Sequence, residues 1–280
     1  KLTYATDGEA SILHDQNPQR SFYVIALFVV LCVTLFGAYL LWRDVGRELQ
    51  LAEMRSQFIA RVSHELKTPL TAIRIFAETL QMGRSKDPKA TSEYLETIGN
   101  ESRRLTRLLN NILDFSKIEA GKRTYRKELA SLPAIIEEVV QATQYPLKQQ
   151  DFHLNVELEE QPLDVRVDRD AIGQAILNLL SNAMKFSGES RRIDLYAGKK
   201  DGQAVIEVAD QGVGIQPAHQ KRIFEKFYRV SSKDNERIAG TGLGLALVSH
   251  IIEAHNGRIE LRSAPGEGST FSIHLPLENN

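Results

Sequence analysis

Residues 58–70 read Phe58-Ile59-Ala60-Arg61-Val62-Ser63-His64-Glu65-Leu66-Lys67-Thr68-Pro69-Leu70, and the spacing of their apolar members decides what the first half of the chain is. Ile59, Val62, Leu66, Leu70, Ile73, Ala77 and Leu80 recur at steps of three and four, which predicts one stripe of an α-helix running to about Gln81. His64 lies two residues from both Val62 and Leu66, about 200° around the helix from either, so it points away from that stripe. A second helical stretch begins at Asp87-Pro88, an N-cap followed by a first-turn proline, and runs to Ile118 before Gly121 stops it. Its own stripe is Ile98, Leu105, Leu109 and Ile112, so the two helices are expected to pair antiparallel. A lone hairpin with so much apolar stripe leaves part of it bare, and dimerisation into a four-helix bundle is expected.

Upstream, residues 22–42 (FYVIALFVVLCVTLFGAYLLW) contain no charged side chain and would span about 30 Å as a helix, the thickness of a bilayer core. Phe22, Tyr23 and Trp42 suit the two interfaces, and backbone groups in lipid require a continuous helix. Arg43, Arg47, Arg55 and Arg61 follow the segment, against Lys1 and Arg20 before it, which places the C-terminal part in the cytoplasm. Only Gly46 interrupts the helical pattern between Trp42 and the quoted stretch. The chain opens at Lys1 without an initiator Met, and residues 1–21 are expected to be the end of an outside segment of something longer.

Composition narrows the function classes. Of 280 residues 42% are hydrophobic and 25% charged, which excludes a disordered or collagen-like chain. Thirty-five basic against 36 acidic residues give a net charge of −1 and no overall pull toward nucleic acid, so none is expected as a partner. One cysteine, Cys32, builds neither an internal disulfide nor a thiolate metal site.

After Gly121 long helices give way to alternation. We expect an extended run at 125–129, a helix at 133–149, strands at 153–158 and 164–167, and a helix at 169–184. Strands at 192–197 and 204–209, a polar loop stretch, a helix at 243–254 and strands at 258–263 and 270–275 follow. The pattern predicts an α/β sandwich with a largely antiparallel sheet.

Several residues in this frame carry chemistry. A neutral imidazole is a nucleophile through one nitrogen while the other holds the proton, and Glu65 beside His64 is a candidate base. Thr68, one turn on, shares that face and can hold a water. Asn178, Asn182 and Lys185 recur on one helix face, where amide oxygens suit Mg²⁺ and a lysine suits phosphate. Asp210-Gln-Gly212-Val-Gly214 closes an apolar strand, where a carboxylate can accept from an adenine amino group and glycines let backbone approach the base. Gly240-Thr241-Gly242-Leu243-Gly244 opens a helix whose free N–H groups suit phosphates. Taken singly, each feature has an ordinary reading as well: an exposed histidine, a solvated helix face, a strand-ending turn. The glycine run follows SSKDNERIA, which is no strand, so a Rossmann loop is excluded; Gly-Lys-Ser/Thr is missing, so a P-loop is too.

In order and spacing these motifs resemble the H, N, G1, F and G2 boxes of sensor histidine kinases, with 58–70 as the H box, 178–187 as the N box and 223–229 (IFEKFYR) as the F box. The resemblance covers about 57–276. It implies a multidomain protein: one transmembrane helix, a helical hairpin that dimerises into a four-helix bundle, and an α/β sandwich ATP-binding domain of the Bergerat (GHKL) fold. The implied domains are 1–21 outside, 22–42 transmembrane, 43–57 juxtamembrane signalling helix, 58–120 dimerisation and phosphotransfer, 121–130 linker and 131–280 ATP-binding.

It also implies roles: His64 as phosphoacceptor, Glu65 as base, Thr68 in phosphatase activity, and Asn182 on Mg²⁺. Asn178, Lys185, Asp210, Gly212, Gly214, Phe227, Arg229, Gly240, Thr241, Gly242, Leu243 and Gly244 would bind ATP, with SSKDNERIA as a lid over it. The implied partners are a second copy, a cytoplasmic response regulator and the lipid around 22–42, in a bacterial inner membrane. Fifteen residues between Trp42 and Phe58 are too few for the relay module that many relatives carry, Pro69 is a candidate hinge, and no receiver domain is expected within the chain. An ATP-switched conformational machine without a protein phosphoacceptor is disfavoured by the H box, and a silent membrane scaffold by Asn182, Asp210 and the glycines.

Overall fold

The structure, a computed structural model, describes residues 18–83, 87–230 and 241–278. The chain divides into two units, Lys1–Arg55 and Ser56–Asn280. A single helix, α1 (Pro18–Gln81), contributes to both. Within the first unit its large apolar residues are exposed, Phe28, Leu35 and Trp42 among them. This helix is long and apolar enough to cross a membrane.

In the second unit α1 continues through Pro69, which is buried. It is joined by α2 (Pro88–Glu119), whose start follows the local rule: Asp87 accepts from the backbone N–H of Lys89, and Pro88 takes the first helical position. Gly121, at φ +64°, ends α2 as Lys122 N–H donates to the Lys117 carbonyl. Phe76 of α1 stacks on Tyr94 of α2 with ring centroids 5.1 Å apart.

The α/β domain begins with β1 (Glu128–Ser131) and α3 (Leu132–Gln149), then β2 (His153–Leu158), β3 (Asp164–Val167) and α4 (Arg169–Phe186). It continues through β4 (Arg192–Lys200), β5 (Gln203–Asp210), the short α5 (Pro217–Gln220), a 3₁₀ turn (Arg222–Phe224), α6 (Gly244–Ala254), β6 (Arg258–Ala264) and β7 (Gly268–Pro276). Five strands form one sheet in the order β2-β4-β5-β7-β6, with only β2 and β4 parallel, while β1 and β3 make a separate antiparallel pair. Asp201-Gly202 turns β4 into β5 with both residues at positive φ, as a two-residue hairpin requires. The apolar faces of α3, α4 and α6 and the facing strand residues form one core in which Leu132, Ile172, Ile176, Leu179 and Ile206 are wholly enclosed.

The strands at 153–158 and 164–167 and the helix end at Ala254 fall where periodicity puts them. Two differences have physical causes. The strand expected at 125–129 starts at Glu128, because its ladder is set by pairing with β3 rather than by its own apolar residues. The polar stretch after β5 contains α5 and the 3₁₀ turn, too short to show a helical stripe.

Candidate active site

The site is built where the end of β5, the two facing helices α4 and α6, and the β6–β7 hairpin meet. Asp210 closes β5 and is buried; its Oδ1 accepts from Gly212 N–H at 2.9 Å. Desolvation raises its pKa, opposed by the backbone bonds from Gly212 and Ser269. The glycines beside it are steric necessities. A Cβ on Gly212 would lie 2.0 Å from the Phe186 carbonyl oxygen, and one on Gly214, at φ +65°, would lie 1.9 Å from that of Ala264. Val213 N–H donates to Phe186 and its carbonyl accepts from Gly266, so the loop is pinned between the end of α4 and the hairpin.

α4 and α6 run side by side, with Asn178 against the first residue of α6: its Oδ1 is 3.8 Å from where a Cβ on Gly244 would be. The Nδ2 of Asn178 is buried without a hydrogen-bond partner, and no side chain caps α6. A polar ligand between the two helices would satisfy both groups. Leu243 is fully buried and Thr241 nearly so, leaving Leu243 only its backbone to offer. Gly242 takes φ +76°, with Phe227 and Tyr228 backbone close behind it. Gly240 and the candidate lid, residues 231–239, lie outside the described residues.

The His64 side of the arrangement is on α1. His64 is exposed; the Thr68 hydroxyl donates to the His64 carbonyl at 3.2 Å, the usual resting bond of a helical threonine. Glu65 is partly buried and connects the two halves electrostatically. Its charge raises the pKa of Lys185, which is lowered first by desolvation and then by Arg104, Arg107 and Arg229. It also raises that of Arg229, which desolvation and Arg61 lower. The Lys185 side chain keeps solvent access while dense protein surrounds it. Thus Lys185 at the end of α4 and Arg229 at the end of the F-box segment both stand in the field of the carboxylate next to His64.

Docking contacts explain this convergence. The Phe227 ring, on a backbone at φ +65°, packs between Phe58 of α1 (4.6 Å) and Phe115 of α2 (5.2 Å). It therefore joins the α/β domain to the hairpin rather than facing the glycine loops. Lys226 pairs with Glu119 at 3.3 Å, and Gln174 donates to Asn111 and Asp114, one turn before Asn178 on α4. Asp114 also pairs with Arg123 of the connecting segment. Asn182 sits partly buried one turn beyond Asn178.

Sequence reasoning named Phe227 only as an ATP-binding residue, and singled out neither Lys226, Gln174, Asp114 and Glu119 nor Gly268, whose Cβ would lie 2.0 Å from the Asp210 carbonyl oxygen. The Gly266-Glu-Gly268 turn was the available signal for the latter. His255 is buried; its Nδ1–H donates to the Ile251 carbonyl and its Nε2 accepts from the Asp168 backbone N–H, a structural role. The two surface clefts lie away from Asp210. One of about 370 Å³ is lined by Leu147, Phe152 and Leu154, and one of about 180 Å³ by Phe115, Ile118 and Leu247.

Residues 54–121 match the family described as His Kinase A (phospho-acceptor) domain, and residues 167–279 the family described as histidine kinase-, DNA gyrase B-, and HSP90-like ATPase. A sensor protein kinase WalK of Staphylococcus aureus is 32% identical over 285 residues, covering 99% of this chain and 68% of that protein. Drug sensory protein A of Synechocystis sp. is 37% identical over 254 residues, covering 87% of this chain and 38% of that one. The chain likewise spans 38% of the length of WalK of Staphylococcus saprophyticus, at 34% identity. The fold is shared with the histidine kinase AdeS of Acinetobacter baumannii, with a TM-score of 0.54 and 24% identity over 77% of this chain and 98% of that one.

Proposed function

We propose a function that proceeds from one premise: the chain belongs to the family of sensor histidine kinases. We infer that it is anchored in a bacterial inner membrane by residues 22–42 and relays a signal through 43–57. It then phosphorylates His64 from Mg-ATP and passes the phosphoryl group to an aspartate of a separate response regulator. On this reading residues 58–120 are the dimerisation and phosphotransfer domain, 121–130 the linker and 131–280 the ATP-binding domain. The observation that supports it is the packing of Phe227 between Phe58 and Phe115, with Gln174 of α4 bonded to Asp114, so that Lys185 at the end of α4 feels the charge of Glu65 beside His64.

ATP enters as the phosphoryl donor. Asp210 would accept from its base, while Asn178, Lys185 and the N–H groups at Gly242–Gly244 would meet its phosphates; the orphaned Asn178 Nδ2 and the glycine cradle fit such a ligand. Mg²⁺ bound with the nucleotide would neutralise phosphate charge. Asn182 would hold it through its amide oxygen, a suitable donor for an ion that takes its remaining ligands from phosphate and water. One ring nitrogen of His64 then forms the N–P bond as the bond from the γ-phosphorus to the β–γ bridging oxygen breaks. The electron pair leaves with ADP, and the imidazole proton passes to Glu65. Thr68 would orient water onto the regulator's phosphoaspartate in the reverse, phosphatase direction. Exposed Ile59, Leu70, Leu95 and Leu113 support a homodimer through the hairpin.

The test is incubation of the full chain in lipid nanodiscs with γ-labelled ATP and Mg²⁺, beside His64→Gln. Label that is acid-labile, base-stable and absent from His64→Gln is expected. Label retained in His64→Gln, or ATP hydrolysis without any labelled protein, would overturn the assignment, the latter in favour of an ATP-driven conformational machine.

A further inference from the structure

We propose that Arg61 is a catalytic residue of this phosphotransfer, its guanidinium meeting the γ-phosphoryl group as it passes to His64. The inference rests on the kinase reading above and adds a group from the acceptor helix to those of the ATP-binding domain.

Arg61 precedes His64 by three residues and Glu65 by four, which puts all three on one side of α1 within about 100°. Its Nη2 donates to Gln57 Oε1 at 2.8 Å, whereas its Nη1 is buried with no partner. A buried cationic N–H without an acceptor is costly. The surroundings add to the cost. Desolvation lowers the pKa of half-buried Arg229, the charge of Arg61 lowers it further, and the charge of Glu65 opposes both.

Read as an ordinary surface arginine bonded to Gln57, Arg61 leaves its second N–H buried and unsatisfied. A phosphoryl oxygen at that N–H removes the penalty. The planar fork of arginine matches two oxygens of a phosphoryl group, and such charge at a transferring phosphoryl stabilises the transition state. The position has a further consequence. Lys185 travels with the nucleotide, but Arg61 is fixed to the acceptor helix, so it can touch the γ-phosphoryl only when the two domains are docked. On this proposal it meets the γ-phosphoryl group and not the phosphates that ADP retains.

The experiment compares wild type, Arg61→Gln and Arg61→Lys as full chains in nanodiscs, by autophosphorylation kinetics and by calorimetry with ADP and a non-hydrolysable ATP analogue. For Arg61→Gln we expect kcat to fall roughly tenfold or more, with partial recovery in Arg61→Lys. ADP affinity should be unchanged while the preference for the ATP analogue over ADP falls. An unaltered kcat in Arg61→Gln, or ADP and analogue affinities that fall together, would overturn the proposal. If Arg61→Gln does not fold, Arg61→Lys is judged by the same preference. A wild-type chain that gains no label refutes the kinase reading instead, and the calorimetric preference still decides whether Arg61 meets a γ-phosphate.

Discussion

The α/β domain and the helical hairpin dispose of their apolar side chains in opposite ways. In the first, Leu132, Ile172, Leu179, Ile206 and Leu275 are fully enclosed by the chain's own elements. In the second, α2 buries Phe115 alone, against the α/β domain, while Ile59 is 63% and Leu113 56% exposed. One region therefore holds its stability internally; the other presents an apolar surface that a second copy would cover on the proposed reading. The contrast matters for the proposed function, because the enclosed region carries Asp210 and the glycine loops and the other carries His64.

Substitutions can break or sharpen that contrast. The largest effect is expected from Gly212→Ala, since its Cβ meets backbone at 2.0 Å and nothing flexible can give way. Thermal unfolding should show a loss of about 3 kcal/mol, and ATP binding should vanish; an unfolding midpoint like that of the wild type would refute the pinned loop. Leu113→Asn should act elsewhere. Removing a side chain that the dimer covers costs about 2 kcal/mol per subunit. Sedimentation should show a weaker dimer with the unfolding of the α/β domain unchanged, and a dimer of undiminished affinity would mean that this face is not the interface.

The smallest effect has the opposite sign. Desolvation holds the Asp210 carboxyl above the ordinary aspartate range, so the folded state keeps a proton that the unfolded chain has already released. Stability contributed by this group is therefore lost as pH rises from about 4 through the raised folded value, and stays lost at neutral pH. Asp210→Asn, whose amide oxygen can still accept from Gly212, should raise the unfolding midpoint of the nucleotide-free protein at pH 7 while abolishing ATP binding. Equal midpoints for the two proteins at pH 7 would contradict the assignment of a strained, ligand-directed carboxyl.

The same contrast governs what could be read before the structure. Alternation in 153–158 and 164–167 and the stripe on 169–184 name their elements because each packs on a core within its own domain. The motifs around His64, Asn178, Asp210 and Gly242 were legible from their residues and order. What periodicity cannot carry is which surfaces meet across long separations. Gln174 reaches Asp114 from 60 residues away and Lys226 reaches Glu119 from 107. The F-box motif names Phe227 without saying that its ring turns toward Phe58 and Phe115. Arg61 stands out only through a buried N–H and the charge of Arg229, both products of docking.

The central claim is that the ATP-binding domain docks on the hairpin of the same chain and so brings phosphate-binding groups to His64. The most direct test is zero-length carbodiimide coupling of the unmodified full chain in nanodiscs, read by peptide mass spectrometry, because Lys226 Nζ lies 3.3 Å from the Glu119 carboxylate. The account predicts an amide between Lys226 and Glu119 in protein that still runs as a monomer after denaturation. Absence of that amide, or its presence only in covalent dimers, would contradict docking within one chain.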